Sequence, residues 1–92
     1  MTLHELYKKI GYFTLEVAGP DTMVLKLTDP GFKTVIEAHY DGTVSVYYYK
    51  KGELEFFREL IYAPGRMEQM VCELAYAYNQ YMHDDFCRTS IN

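Results

Sequence analysis

Residues 34–60, TVIEAHYDGTVSVYYYKKGELEFFREL, decide the fold. Three runs rich in β-branched and aromatic side chains are separated by Asp41-Gly42 and Lys51-Gly52, which reads as three antiparallel strands in a meander. Register follows from hydrophobic matching. A two-residue loop at Asp41-Gly42 would set Val44 opposite His39 and Val46 opposite Glu37. A three-residue loop, Tyr40-Asp41-Gly42, sets Val44 opposite Ala38 and Val46 opposite Ile36, and it is preferred because a one-residue slip moves every side chain to the other face. That loop needs Gly42 in the left-handed region, where glycine is at home. The same reasoning at Lys50-Lys51-Gly52 predicts a second three-residue loop, with Tyr48 opposite Leu54 and Val46 opposite Phe56. The inner face then holds Ala38, Val44, Val46, Tyr48, Leu54 and Phe56. The outer face holds Val35, Glu37 and His39, then Ser45, Tyr47 and Tyr49, then Glu53, Glu55, Phe57 and Glu59, with Tyr47 beside Glu55, Ser45 beside Phe57 and Tyr49 beside Glu53.

Upstream, residues 12–18 and 22–28 alternate apolar and polar side chains on either side of Gly19-Pro20-Asp21. Asp29-Pro30-Gly31 is the next turn, with proline pre-set for its second position, and it pairs Leu27 with Thr34 and Leu25 with Ile36. Thr2 and Glu5 make a capping box ahead of Leu3, Leu6, Tyr7 and Ile10, and Gly11 stops the run, which predicts a helix over 3–10. So short a helix needs a docking surface to be stable. Downstream, Ala63-Pro64-Gly65 ends the sheet. From Met67 the apolar residues Met70, Val71, Leu74, Ala75, Tyr78 and Met82 recur at helical spacing. The expectation is a helix over about 65–83, slightly longer at most, lying across the inner face, followed by a frayed RTSIN tail. The fold expected for residues 1–92 is one α+β domain: a short N-terminal helix, a five-stranded antiparallel meander, and a long C-terminal helix on one sheet face.

Composition narrows the function. With 92 residues there is room for a single core. Nearly half of them are apolar (49%) and the charged fraction is ordinary (24%), which makes the chain globular rather than disordered. The longest apolar runs fall far short of the roughly 20 residues needed to cross a bilayer. The start, MTLHELYKKI, has no apolar signal region, so the expected location is the cytoplasm, without membrane association. The net charge is −4, and the nine basic residues are scattered, which argues against nucleic acid as partner. Cys72 and Cys87 would sit roughly 22 Å apart on one helix, too far for a disulfide, so both are expected as free thiols.

No catalytic constellation stands out. His83, Asp84 and Cys87 cluster near the end of the last helix but match no metal-ligand spacing, and a solvated helix end explains them. His39 sits beside Glu37 and Glu59 without a nucleophile or oxyanion element. Ser45 and Ser90 lack a nucleophile-elbow context, and Cys72 has no basic neighbour in sequence. No metal and no cofactor are expected. The anomaly is tyrosine: ten Tyr and no Trp. Tyr is enriched at interfaces, and Tyr47 and Tyr49 fall on the face the long helix should leave open. The first helix or a second subunit could cover that face instead.

The order α-β-β-β-…-α resembles that of the double-stranded RNA-binding domain, but the lysine-rich start of that family's second helix is replaced here by Gly65-Arg66-Met67-Glu68-Gln69, and the assignment is declined. Size and acidity are similar to those of phage and mobile-element products, including inhibitors of host defence nucleases. The leading expectation is a non-enzymatic protein-binding module, self-associating or binding a protein partner, with Val35, Tyr47, Tyr49, Glu53, Glu55 and Phe57 as its contact surface. The alternative is an acidic inhibitor of a basic nucleic-acid-binding protein. A small hydrolase or metal-dependent enzyme comes third.

Overall fold

A computed structural model describes residues 1–11, 13–17 and 19–91, the side chains of Val17 and of residues 89–91 excepted. Its elements run α1 (Leu3–Ile10), β1 (Thr14–Val17), β2 (Thr22–Asp29), β3 (Phe32–His39), β4 (Thr43–Lys50), β5 (Glu53–Ile61) and α2 (Met67–Ile91). The strands form one antiparallel sheet in chain order, β1-β2-β3-β4-β5. The architecture is α+β, with both helices on one side.

Local chemistry explains the boundaries. Thr2 caps α1 by accepting the Glu5 amide at 3.2 Å, and Gly11 closes it in the left-handed region with its amide on the Tyr7 carbonyl. The Tyr40-Asp41-Gly42 loop joins β3 to β4 with Ala38 opposite Val44 and Ile36 opposite Val46. Asp41 fastens this loop by accepting from the Thr43 amide and hydroxyl at 3.0 and 2.8 Å, bonds that hold its carboxyl below the usual carboxylate range. Of the first expected strand, 12–18, the sheet holds Thr14–Val17, with Phe13 ahead of it, and Tyr12 and Ala18 lie outside the described residues.

The β4–β5 register corrects the sequence reading. Lys51 and Gly52 both take positive φ, 54° and 81°, so the connection is a tight two-residue turn rather than a three-residue loop. Lys50 faces Glu53 and Tyr49 faces Leu54. Glu55 is then an extra residue, and after this bulge Tyr48 faces Phe56, Tyr47 faces Phe57 and Val46 faces Arg58. The bulge restores phase: Phe56 stays inside and Phe57 outside. Leu54 leaves the core and stands 53% exposed.

The core is one cluster of Leu25 and Leu27 from β2, Phe32, Ile36 and Ala38 from β3, Val44, Val46 and Tyr48 from β4, and Val71, Ala75, Tyr78 and Met82 from α2. Leu6 and Ile10 of α1 join this same cluster. Thr34 is the buried polar member, its hydroxyl donating to Met82 Sδ at 3.1 Å. α2 lies over β2 and β3 and against α1. It also runs through residues 88–91 expected to fray, reaching Ile91. Among the described residues, no helix is long and apolar enough to cross a membrane.

Candidate protein-binding surface

Alternation along strands sends every second side chain away from the helices. Across β2 to β5, register aligns these into rows: Lys26–Val35–Tyr47–Phe57 at the centre, Val24–Glu37–Ser45–Glu59 to one side, and Thr28–Lys33–Tyr49–Leu54 to the other. Both helices sit on the opposite face, so no other described element covers this one. The open question of the first helix is thereby answered: α1 docks beside α2, where the Leu3 amide donates to the Glu68 carboxylate at 3.2 Å and Lys9 lies over the Tyr76 ring at 4.9 Å.

The expected contact residues divide. Val35, Tyr47, Tyr49 and Phe57 lie together on the open face. Tyr47 and Phe57 are direct cross-strand neighbours with ring centroids 5.0 Å apart, a pair the expected register had separated. Lys33 Nζ lies 4.6 Å from the Tyr49 ring centroid, so the aromatic patch has a cationic flank. His39 is tied down at the rim, Nε2 at 3.5 Å from Glu37 and Nδ1 at 3.2 Å from the Thr22 hydroxyl.

Glu53 and Glu55 do not share that face with Tyr47 and Tyr49. Glu53 is opposite Lys50, whose side chain reaches Asp85 on the helix side. Glu55 lines a cleft with Tyr48, Lys50, Phe56, Tyr81, Asp85 and Arg88. Here the Tyr48 hydroxyl donates to Asp85 at 2.8 Å, with Lys50 at 3.5 Å and Arg88 at 3.9 Å from the same carboxylate. Burial first, and then this carboxylate, hold the Tyr48 hydroxyl well above the usual phenol range.

The two cysteines sit in different settings. Burial raises the Cys72 thiol to about 11, against nucleophilic use. Cys87 Sγ is 3.7 Å from His83 Nε2 on an exposed helix turn, and no group of three or more metal-ligating side chains occurs among the described residues.

What sequence reasoning missed at β5, the acidic end strand, is its apolar exposure. Four of its side chains, Leu54, Phe57, Leu60 and Ile61, are large, apolar and exposed, Ile61 by 87%. Beside it, Phe56, Arg58 and Leu60 face Leu74, Ala77, Tyr78 and Tyr81 of α2 across an open groove. The usable signal was the Phe56-Phe57 doublet: matched against Tyr47-Tyr48, it gives the observed pairing directly. The chain matches no family model, no curated protein and no solved structure.

Proposed function

We propose that the protein is a non-enzymatic protein-binding module that docks a second copy of itself through the outer face of the sheet. The carrying observation is that both helices pack on one side and leave Val35, Tyr47, Tyr49 and Phe57 on the other. Four strands about 26 Å long and the half-length β1, spaced about 4.8 Å apart, make a face of roughly 560 Å² before side-chain relief, against about 800 Å² per partner in a stable interface. The flanking charges have both signs: Lys26 and Lys33 against Glu37 and Glu59. A two-fold arrangement of stacked sheets can set the lysines of one copy against the glutamates of the other.

The test is sedimentation of Tyr47→Ala with Phe57→Ala. Wild type is expected as a dimer, and the double variant as a folded monomer with an unchanged circular dichroism spectrum. A folded double variant that sediments like wild type overturns the reading.

A second reading, an acidic inhibitor of a basic nucleic-acid-binding protein, is supported by Glu53, Glu55 and Glu59 along β5, the end strand of the sheet. It requires association that weakens as salt rises.

A further inference from the structure

The C-terminal turns of α2 carry two side chains that neither functional reading uses. His83 and Cys87 are four residues apart, so on a helix of 3.6 residues per turn they stand on one face, one turn above the other. Both are exposed, and Cys87 Sγ lies 3.7 Å from His83 Nε2. Counted together with Asp84, these residues match no metal-ligand motif. As a pair they match the arrangement in which the i and i+4 side chains of a helix grip one metal ion.

Coordination geometry gives the distance a meaning. Zinc holds an imidazole nitrogen at about 2.0–2.1 Å and a thiolate sulfur at about 2.3 Å, and two such bonds at the tetrahedral angle set N and S about 3.6 Å apart. The observed separation agrees within the roughly 0.2 Å that a real site tolerates. The pair already spans one edge of a zinc tetrahedron.

The donors select the metal. A borderline nitrogen with a soft sulfur suits zinc, whereas magnesium and calcium take oxygen. The helix adds a favourable field. Its last carbonyls, over 88–91, lack intrahelical partners and form its negative end, a good place for a cation and a poor one for an unpaired anion. That counts against the rival use of the pair as a thiolate nucleophile. Asp84 adds negative charge beside His83. Arg88 is the neighbouring base, and its guanidinium lies 3.9 Å from the Asp85 carboxylate. The other thiol, Cys72, is wholly buried and cannot join the pair.

We propose that His83 and Cys87 form a bidentate Zn2+ site on the exposed face of α2, with water in the two positions the chain leaves open. No third His, Cys, Asp or Glu completes the set among the described residues, so the site is an open one rather than a closed structural centre. On binding, the S–H bond of Cys87 gives way to an S–Zn bond and the proton passes to solvent. The site does not depend on outer-face dimerisation, because Tyr47 and Phe57 lie on the sheet face opposite α2.

The probe is cobalt(II) chloride, a coloured substitute for zinc, titrated into reduced protein and read by the near-ultraviolet charge-transfer absorption of a thiolate–cobalt bond. Zinc chloride is then added in competition. Saturable absorption at one cobalt per chain, erased by zinc, is the expected result. His83→Ala and Cys87→Ser are each expected to weaken binding at least tenfold with an unchanged circular dichroism spectrum, since both positions are exposed. No absorption with wild type overturns the proposal. So does absorption retained by Cys87→Ser, which would come from Cys72, or full binding by His83→Ala, which would leave the thiol acting alone. Sedimentation of the Tyr47→Ala, Phe57→Ala variant with zinc tests the open positions. Its mass is expected to stay unchanged, and a zinc-driven doubling overturns the water-completed site in favour of one shared by two copies.

Discussion

At the scale of single residues, Tyr48 carries the most consequential polar contact. Its ring is buried, stacked on Phe56 at 5.0 Å and met edge-on by Tyr81, while its hydroxyl donates to Asp85. Tyr48→Phe should cost about 1–3 kcal/mol at neutral pH, the worth of a hydrogen bond to a charged group. Folding raises the affinity of this hydroxyl for its proton, so its stabilisation is complete below its unfolded value of 10.0 and is lost as pH rises above it. Cys72 behaves in the same direction from 9.0 upward. Denaturant unfolding at pH 7 and above pH 10 should show wild type losing stability in alkali, and Tyr48→Phe losing less. Gly42 is constrained differently. At φ 102° it has no Cβ to strike the Tyr62 carbonyl, which would lie 2.4 Å away. Gly42→Ala should therefore cost well over about 1 kcal/mol. Gly52→Ala should cost less, since open space surrounds that position although its φ is also positive. Thermal melts of the pair provide the comparison.

At the scale of elements, α1 and β5 are opposites. α1 is only eight residues long and depends on docking: Leu6 is wholly buried and its neighbours reach across to α2. Leu6→Ala should cost about 2–5 kcal/mol. Hydrogen exchange should show α1 amides losing protection before those of β3, because α1 has no sheet partners to hold it. β5 is nine residues long and almost entirely exposed, yet it remains in the sheet through its pairing with β4 and the stack of Phe56 on Tyr48. The bulge at Glu55 is what makes it two-faced. It sends Glu55 toward the Asp85 cleft, frees Leu54, and brings Phe57 beside Tyr47.

At the scale of the whole molecule, the layering is lopsided: helices and core on one side, an aromatic sheet face on the other. That asymmetry motivates the proposed dimer. If outer faces pair, the thermal midpoint should climb as protein concentration is raised a hundredfold, because association stabilises the folded state by mass action. The Tyr47→Ala, Phe57→Ala variant should melt at one temperature across the same range. A wild-type midpoint independent of concentration would place the protein as a monomer.

The sequence by itself determined the element order, the α1 span, the register from β2 to β4 and the apolar stripe of α2, since capping, turn chemistry and hydrophobic period are local and each leaves its own mark. Val35, Tyr47, Tyr49 and Phe57 were assigned to the outer face on those grounds alone. Tertiary structure decided three further matters. It set the Lys51-Gly52 turn and the Glu55 bulge, where pairing the Tyr and Phe doublets outweighs uniform alternation. It docked α1 beside α2, because the stripe of Leu6 and Ile10 can state that a partner is needed but not which. It left the β5 edge open beside α2, since how far a helix reaches across a sheet depends on which strands it packs against, here β2 and β3, and no local pattern encodes that distance.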